Sequence, residues 1–362
     1  MRHHNDKLTA RRADTPEDYQ RLGLDHTVSP WEDGIRTDGK PGSYEWWYFD
    51  AHLDDGSSLV VAFYTKNPLA PGDPLDPYVS IQLDRPGHDT LTRVVKAGVT
   101  QFHAATDRCD VSLGDNFIRG DLHTYEIHVS SGDLVVDATL NGQVPAWRPA
   151  TGYTLFGDHE EHYFAWLPSV PQGTVSVRLT VDGDTEELGG VGYHDHNWGD
   201  APMMKLLNHW YWGRAQAGPY SIVSSYITAE RAYGCAEIPV FLLAKGEAIV
   251  GDDVAKVRFH LEDEFVDEAS GKPVANTVVY EYTDGGDEYR VSFNRAQTIV
   301  DQQLIDKVTG IKHVLAKLAR FDGSYLRFTG DVRLEHFVVG EKVEDFRDAG
   351  IWELMYFGSV HS

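Results

Sequence analysis

Apolar side chains fall at every second position through much of this chain. Tyr125-Glu126-Ile127-His128-Val129, Thr174-Val175-Ser176-Val177-Arg178-Leu179, Tyr289-Arg290-Val291-Ser292-Phe293 and Leu326-Arg327-Phe328 show the pattern, and Leu59 to Tyr64 is a further strand-like run. A period of two is that of a strand with one dry face and one wet one. Between the runs stand turn formers: Asp54-Asp55-Gly56, Ser131-Gly132-Asp133, Asn141-Gly142, Asp182-Gly183-Asp184, Asp284-Gly285-Gly286-Asp287 and Asp322-Gly323. Short strands joined by such turns pair antiparallel, so the expected fold is all-β, in barrels or sandwiches.

Helical periodicity is confined to two places. Gln302 to Leu318 sets Leu304, Ile305, Val308, Ile311, Val314, Leu315 and Leu318 roughly along one stripe, with Gly310 inside it. Thr15-Pro16-Glu17 opens a short helix through Leu22, with Thr15 as cap and proline at the first position. A chain of 362 residues exceeds what one core usually serves. Two domains are expected, with Asp200-Ala201-Pro202 interrupting the strand pattern at their junction: an extension over residues 1–24, then domains over 25–203 and 204–362.

Thirty-two lysines and arginines stand against 56 acids, a formal charge of −24. That balance disfavours nucleic acid and anionic membranes as partners. The longest apolar runs, such as Ile238 to Ala244, fall far short of the roughly 20 residues of a membrane-spanning helix. Stable membrane insertion is not expected. Met1 to Gln20 holds no apolar core, and Cys109 and Cys235 lie far apart without metal-type spacing. Both features read as a cytoplasmic protein with reduced thiols.

Three of nine tryptophans fall in Gly192-Tyr193-His194-Asp195-His196-Asn197-Trp198-Gly199 and His209-Trp210-Tyr211-Trp212-Gly213-Arg214. A second cluster is Tyr44-Glu45-Trp46-Trp47-Tyr48-Phe49-Asp50. Wide aromatic faces beside acid/base groups suit a bulky unsaturated ligand, and the two clusters are expected to wall one pocket. As strands, they put Glu45, Trp47 and Phe49 on one face, and His194, His196 and Trp198 on the face opposite Tyr193, Asp195 and Asn197. Glu45 between aromatics reads as a general acid, or as a buried partner of an arginine such as Arg214. Asp195, His196 and Asn197 read as groups that move a proton or orient a ligand; the alternative is a structural corner bent at its glycines. Metal binding by His194 and His196, with His159, His162 and Glu160 or Glu161, is the weaker reading, because the spacing matches no zinc motif. Trp210, Trp212 and Arg214 read as a stacking face with a carbonyl or enolate clamp, or as core with an ion pair. No dinucleotide fingerprint, phosphate loop or nucleophile elbow is present in the sequence.

The two clusters, in this order and spacing, resemble the lipocalin-like superfamily of carotenoid 1,2-hydratases and fungal polyketide Diels-Alderases. The Gly192 to Gly199 motif is closer to the Diels-Alderase branch. The resemblance implies two lipocalin-like antiparallel β-barrel domains, no cofactor, no metal, and a hydrophobic small-molecule substrate. Since members share a container more than a reaction, roles are argued from the residues. Glu45, Asp195 and Arg214 are the candidate catalytic groups; Trp47, Tyr48, Tyr64, His196, Asn197, Trp198, Trp210, Trp212 and Tyr226 are the candidate substrate contacts. The leading expectation is a cofactor-independent cyclase or isomerase folding a polyunsaturated polyketide or isoprenoid intermediate. The alternatives are a hydratase adding water to an isoprenoid double bond and a non-catalytic carrier.

Overall fold

The structure, a computed structural model, describes residues 9–303, 323–358 and 360. The stretch read as a helix from Gln302 to Leu318 lies mostly outside the described residues; Gln302 and Gln303 end a strand, Asp287–Gln303. The other expected helix is present as α1, Pro16–Leu22. Thr15 caps it, its hydroxyl accepting from the Asp18 N–H at 3.2 Å, while the Asp18 carboxylate accepts from the Thr15 N–H at 3.1 Å. That reciprocal box satisfies two N–H groups the first turn leaves unpaired. Leu59 to Tyr64, Tyr125 to Val129, Thr174 to Leu179, Tyr289 to Phe293 and Leu326 to Phe328 all lie in strands. Asn141-Gly142 does not turn the chain. It continues the strand Leu134–Gly142, and the Gly142 N–H donates to the His123 carbonyl at 2.7 Å.

The chain divides into two compact units, with the main break between Pro202 and Met203. In the first, one antiparallel sheet runs in the order Leu91–Lys96, Tyr78–Asp84, Ser58–Tyr64, Tyr44–Leu53, Asp184–Gly199, His162–Val181, Leu134–Gly142, Thr124–Ser131, Asn116–Gly120, Cys109–Leu113 and Phe102–Ala104. Leu59, Val61, Ile81, Val111, Ile118, Val129, Val136 and Val177, drawn from strands along the whole sequence of pairings, bury one shared core. A single sheet that buries one core between its own strands must curl on itself. Five of its strands carry the site: β1 (Tyr44–Leu53), β2 (Ser58–Tyr64), β3 (Tyr78–Asp84), β4 (His162–Val181) and β5 (Asp184–Gly199). Pro168 and Pro171 fall where the β4/β5 pairing slips register, since proline offers no N–H to a ladder.

In the second unit the sheet order is Ala248–Gly251, Glu237–Lys245, Tyr220–Ala229, Leu207–Ala217, Glu341–Tyr356, Ser324–Val338, Asp287–Gln303, Pro273–Asp284 and Val257–Val266. Tyr211, Phe241, Val278, Tyr280, Phe293, Phe328, Trp352 and Leu354 fill its core. All-β, antiparallel architecture is thus what the two-residue periodicity specified.

Candidate functional site

Gly192 to Gly199 is continuous strand, so the alternative reading of a corner bent at its glycines does not hold. The glycines answer to close approach instead. A Cβ on Gly199 would lie 2.5 Å from the Tyr44 hydroxyl, and one on Gly192 would lie 2.9 Å from Leu140. Extended backbone then sends successive side chains to opposite faces, so the predicted residues part into two sets.

The inner face of β1 and β5 holds Glu45, Trp47, His194, His196 and Trp198. His194 and His196 are fully buried, as are Glu45 and Trp47. Between the histidines sits Asp33, at the end of a short 3₁₀ turn, Pro30–Asp33, built on a Ser29/Glu32 capping box. The Asp33 carboxylate lies 3.2 Å from His194 Nε2 and 3.5 Å from His196 Nδ1, and it accepts the Tyr125 hydroxyl proton. His194 Nδ1 faces the Tyr48 carbonyl at 2.8 Å, which can only accept. Both ring nitrogens of His194 therefore meet acceptors, the pattern of an imidazolium. Burial works against its charge, but the Asp33 carboxylate outweighs it and raises His194 above the ordinary histidine value. Burial likewise pushes Asp33 upward, and His194 overrides it so that Asp33 lies below the usual carboxylate value.

Glu45 is saturated. Its oxygens accept the N–H groups of Arg36 (2.6 Å) and Thr37 (2.8 Å) and the Thr37 hydroxyl (2.7 Å), and Oε1 meets His196 Nε2 at 2.7 Å. His196 is sandwiched by Trp47 at 4.6 Å and Trp198 at 4.7 Å between ring centroids. This geometry makes Glu45→Gln a destabilising change. One amide N–H₂ group would point at donors wherever it is placed, and about 1–3 kcal/mol of stability is expected to be lost. The midpoint of urea unfolding measures it.

Histidines 159 and 162 do not join His194 and His196. His162 Nδ1 lies 3.5 Å from Asp200, and the backbone N–H of His159 donates to Glu161 at 3.1 Å. Among the described residues the cluster with metal-like convergence is Asp33, Cys109 and His194, one ligand atom from each lying within 4.8 Å of the others. Two of those groups are already joined as the ion pair.

The outer face of the same strands is different in kind. Cross-strand register sets Tyr78 (β3), Tyr64 (β2), Trp46 (β1), Asn197 (β5) and Trp166 (β4) directly opposite one another in one row. Tyr64 and Tyr78 stack at 4.6 Å, and Trp46 lies 6.2 Å from Tyr64 and from Phe164. In the adjacent row Tyr48 stands opposite Asp195. Asp195 Oδ2 accepts from Tyr193 (2.7 Å) and Trp166 Nε1 (2.8 Å), and Oδ1 from Asn197 (2.7 Å). Those donors favour the carboxylate. Burial nevertheless dominates and raises Asp195 from 3.8 to about 6. The sequence reading named Tyr48, Tyr64, Asp195 and Asn197 as candidates and set Tyr193 on the face of Asp195 and Asn197, but did not name Trp166 or Tyr78, because joining them to one surface requires knowing which strands pair.

In the second unit Tyr211, Gly213 and Ala215 turn to the core side of Leu207–Ala217, so Trp210, Trp212 and Arg214 project from the opposite face. Trp210 Nε1 donates to Glu353 at 3.2 Å. Tyr226, on the neighbouring strand, stacks on Phe259 at 3.6 Å.

Residues 135–312 match the Diels-Alderase-like family. Over that stretch the chain is similar to a Diels-Alderase-like domain. It is 28% identical over 193 residues to the quinolone epoxide rearrangement protein asqO of Emericella nidulans, covering 50% of this chain and 53% of that protein. To the Diels-Alderase poxQ of Penicillium oxalicum it is 26% identical over 227 residues, 59% of this chain and 50% of the relative. The acyclic carotenoid 1,2-hydratase of Thiocapsa roseopersicina is 25% identical over 228 residues, 57% of this chain and 53% of that enzyme. The chain thus spans about half the length of the curated relatives it matches. The crystal structure of CghA with Sch210972 superposes with a TM-score of 0.59 at 14% identity, covering 98% of this chain and 100% of that one, a likeness of fold. The resemblance expected from the two aromatic clusters therefore holds for both branches, and rearrangement proteins join them.

Proposed function

We propose that this Diels-Alderase-like chain is an enzyme, a cofactor-independent cyclase or isomerase that binds a hydrophobic polyunsaturated polyketide or isoprenoid intermediate against the outer aromatic face of β1 to β5. One observation carries the reading: a buried carboxyl at about 6, set among Trp166, Tyr193 and Tyr48 on a face that continues through Trp46, Tyr64 and Tyr78. A carboxyl raised this way weakens the fold at neutral pH, and such groups gather where acid/base chemistry is done. Stacking a flexible polyene along the row restricts it to few conformers, removing part of the entropic barrier to ring closure. Asp195 then accepts or returns a proton, with Asn197 and Tyr193 holding it in place. Trp210, Trp212 and Arg214 form a surface of similar make-up in the second unit, suited to a carbonyl. Glu45, His196, Trp47 and Trp198 serve as the buried framework behind β1 and β5.

A hydratase is the second reading, favoured by the match to carotenoid 1,2-hydratases. There Asp195 in its acid form protonates a double bond and water traps the cation. A cytoplasmic setting belongs to the same proposal; among the described residues no helix is long and apolar enough to cross a membrane. Incubation with a conjugated polyene and mass analysis of the products separates the readings. Unchanged mass with altered retention is expected; gain of one water supports hydration, and unaltered polyene supports carriage.

A further inference from the structure

The sheet of the second unit carries a polar groove on its outward side. Val291, Phe293, Val332 and Leu334 point into the core, so Ser292 and Arg333, which alternate with them, face the other way. The groove there has a volume of about 420 Å³, enough for a small metabolite. Arg290, Arg333 and Arg347 line it, in a chain whose formal charge is −24. Ser292, Arg333 and Arg347 stand directly opposite one another across strands Asp287–Gln303, Ser324–Val338 and Glu341–Tyr356. Like charges set directly opposite destabilise a sheet, and a ladder arranged for stability alone would place an acid against Arg333.

The acids around the groove are committed more fully than the arginines. Glu262 accepts from Arg290 at 2.8 Å. Asp345 accepts from Arg333 Nε and Nη2 at 2.9 and 2.6 Å, and Glu335 lies 3.0 Å from the same Nη2. Lys342 bridges those two carboxylates at 2.8 and 3.1 Å. Arg333 Nη1 keeps both of its protons for another acceptor. Arg347 reaches Asp331 through Nε at 3.4 Å, longer than a usual hydrogen bond, with its side chain 62% exposed. Exposed pairs contribute little, so a ligand draws Arg347 from Asp331 at small cost. Ser292 is 7% exposed and lines the groove, and its hydroxyl makes no hydrogen bond among the described residues. We propose that this groove binds a small oxyanion, the carboxylate or phosphate end of a metabolite. The planar fork of Arg347 takes two of its oxygens, and Arg333 Nη1 and the Ser292 hydroxyl donate to the same group. The inference stands apart from the reaction proposed for the outer face of β1 to β5.

The test titrates the full chain with sodium acetate or sodium phosphate, against sodium chloride at equal ionic strength, and follows the arginine side-chain N–H groups by nuclear magnetic resonance. Acetate or phosphate is expected to shift the Arg333 signal saturably, at concentrations at least about tenfold below any response to chloride. Arg347→Gln is expected to raise the half-saturating concentration by at least about tenfold. Arg258→Gln removes the same charge from a side chain that is 77% exposed and outside the groove, and is expected to change it by less than about twofold. Saturation by acetate alone identifies a carboxylate and by phosphate alone a phosphate; either upholds the inference. Shifts equal for the three salts, or equal weakening in the two variants, overturn it and leave the groove a ladder of solvated ion pairs.

Discussion

His194→Leu is expected to cost about 3–5 kcal/mol of folding stability, among the largest losses from any single change in the first unit. The substitution leaves the Asp33 carboxylate fully buried with its cation gone, and the residual hydrogen bond from Tyr125 cannot replace a charge. Removing both members, as His194→Leu with Asp33→Leu, is expected to recover at least half the loss, because the desolvation cost disappears along with the attraction. Urea unfolding of the three proteins measures this. The pH dependence has a definite sign. His194 is raised on folding, so its contribution is complete below about 6.5 and is lost as pH rises through the higher folded value. Asp33 is lowered, so its contribution is complete above about 3.8 and is lost as pH falls through the lower folded value. Stability from the pair is greatest between about 4 and 6.5, and the double variant should flatten that window.

Asp195→Asn is expected to lower turnover by roughly 10²–10⁴-fold, the span that a lost acid/base group removes. The same substitution should abolish a limb near pH 6 in the dependence of kcat/KM on pH. Here the stability effect runs against the pair's. A carboxyl raised from 3.8 to about 6 binds its proton more tightly when folded, so it costs the fold about 3 kcal/mol at neutral pH relative to pH 3. Three neutral donors limit that cost without cancelling it, and a scaffold under pressure for stability alone would place an apolar side chain there.

Much of this was legible in the residues. Alternation in Thr174 to Leu179 and Leu326 to Phe328 specified strands, and Thr15-Pro16 specified α1. It also sorted Glu45 and His196 to one face and Asp195 and Asn197 to the other. What alternation cannot give is pairing. Tyr78, Tyr64, Trp46 and Trp166 come from four strands spread over about 120 positions, and only register makes them one row with Asn197. Asp33 was hidden for a related reason: Trp31-Glu32-Asp33 reads as a polar turn, and nothing local says that it closes onto His194, 161 positions away. Glu45 read as a general acid or an arginine's partner, and not as an acceptor of backbone groups, because its donors, the backbone N–H groups of Arg36 and Thr37, carry no sequence signature.

The central claim, that the outer aromatic face with Asp195 is the working site and the inner network its framework, is tested most directly by turnover of one converted polyene by folded Asp195→Asn, Tyr48→Leu and Glu45→Gln proteins. The account predicts large losses in kcat/KM for Asp195→Asn and Tyr48→Leu, with Glu45→Gln keeping activity within about tenfold of wild type while unfolding at lower urea. Full activity in Asp195→Asn, with activity abolished in Glu45→Gln, would contradict it and move the chemistry to the inner face.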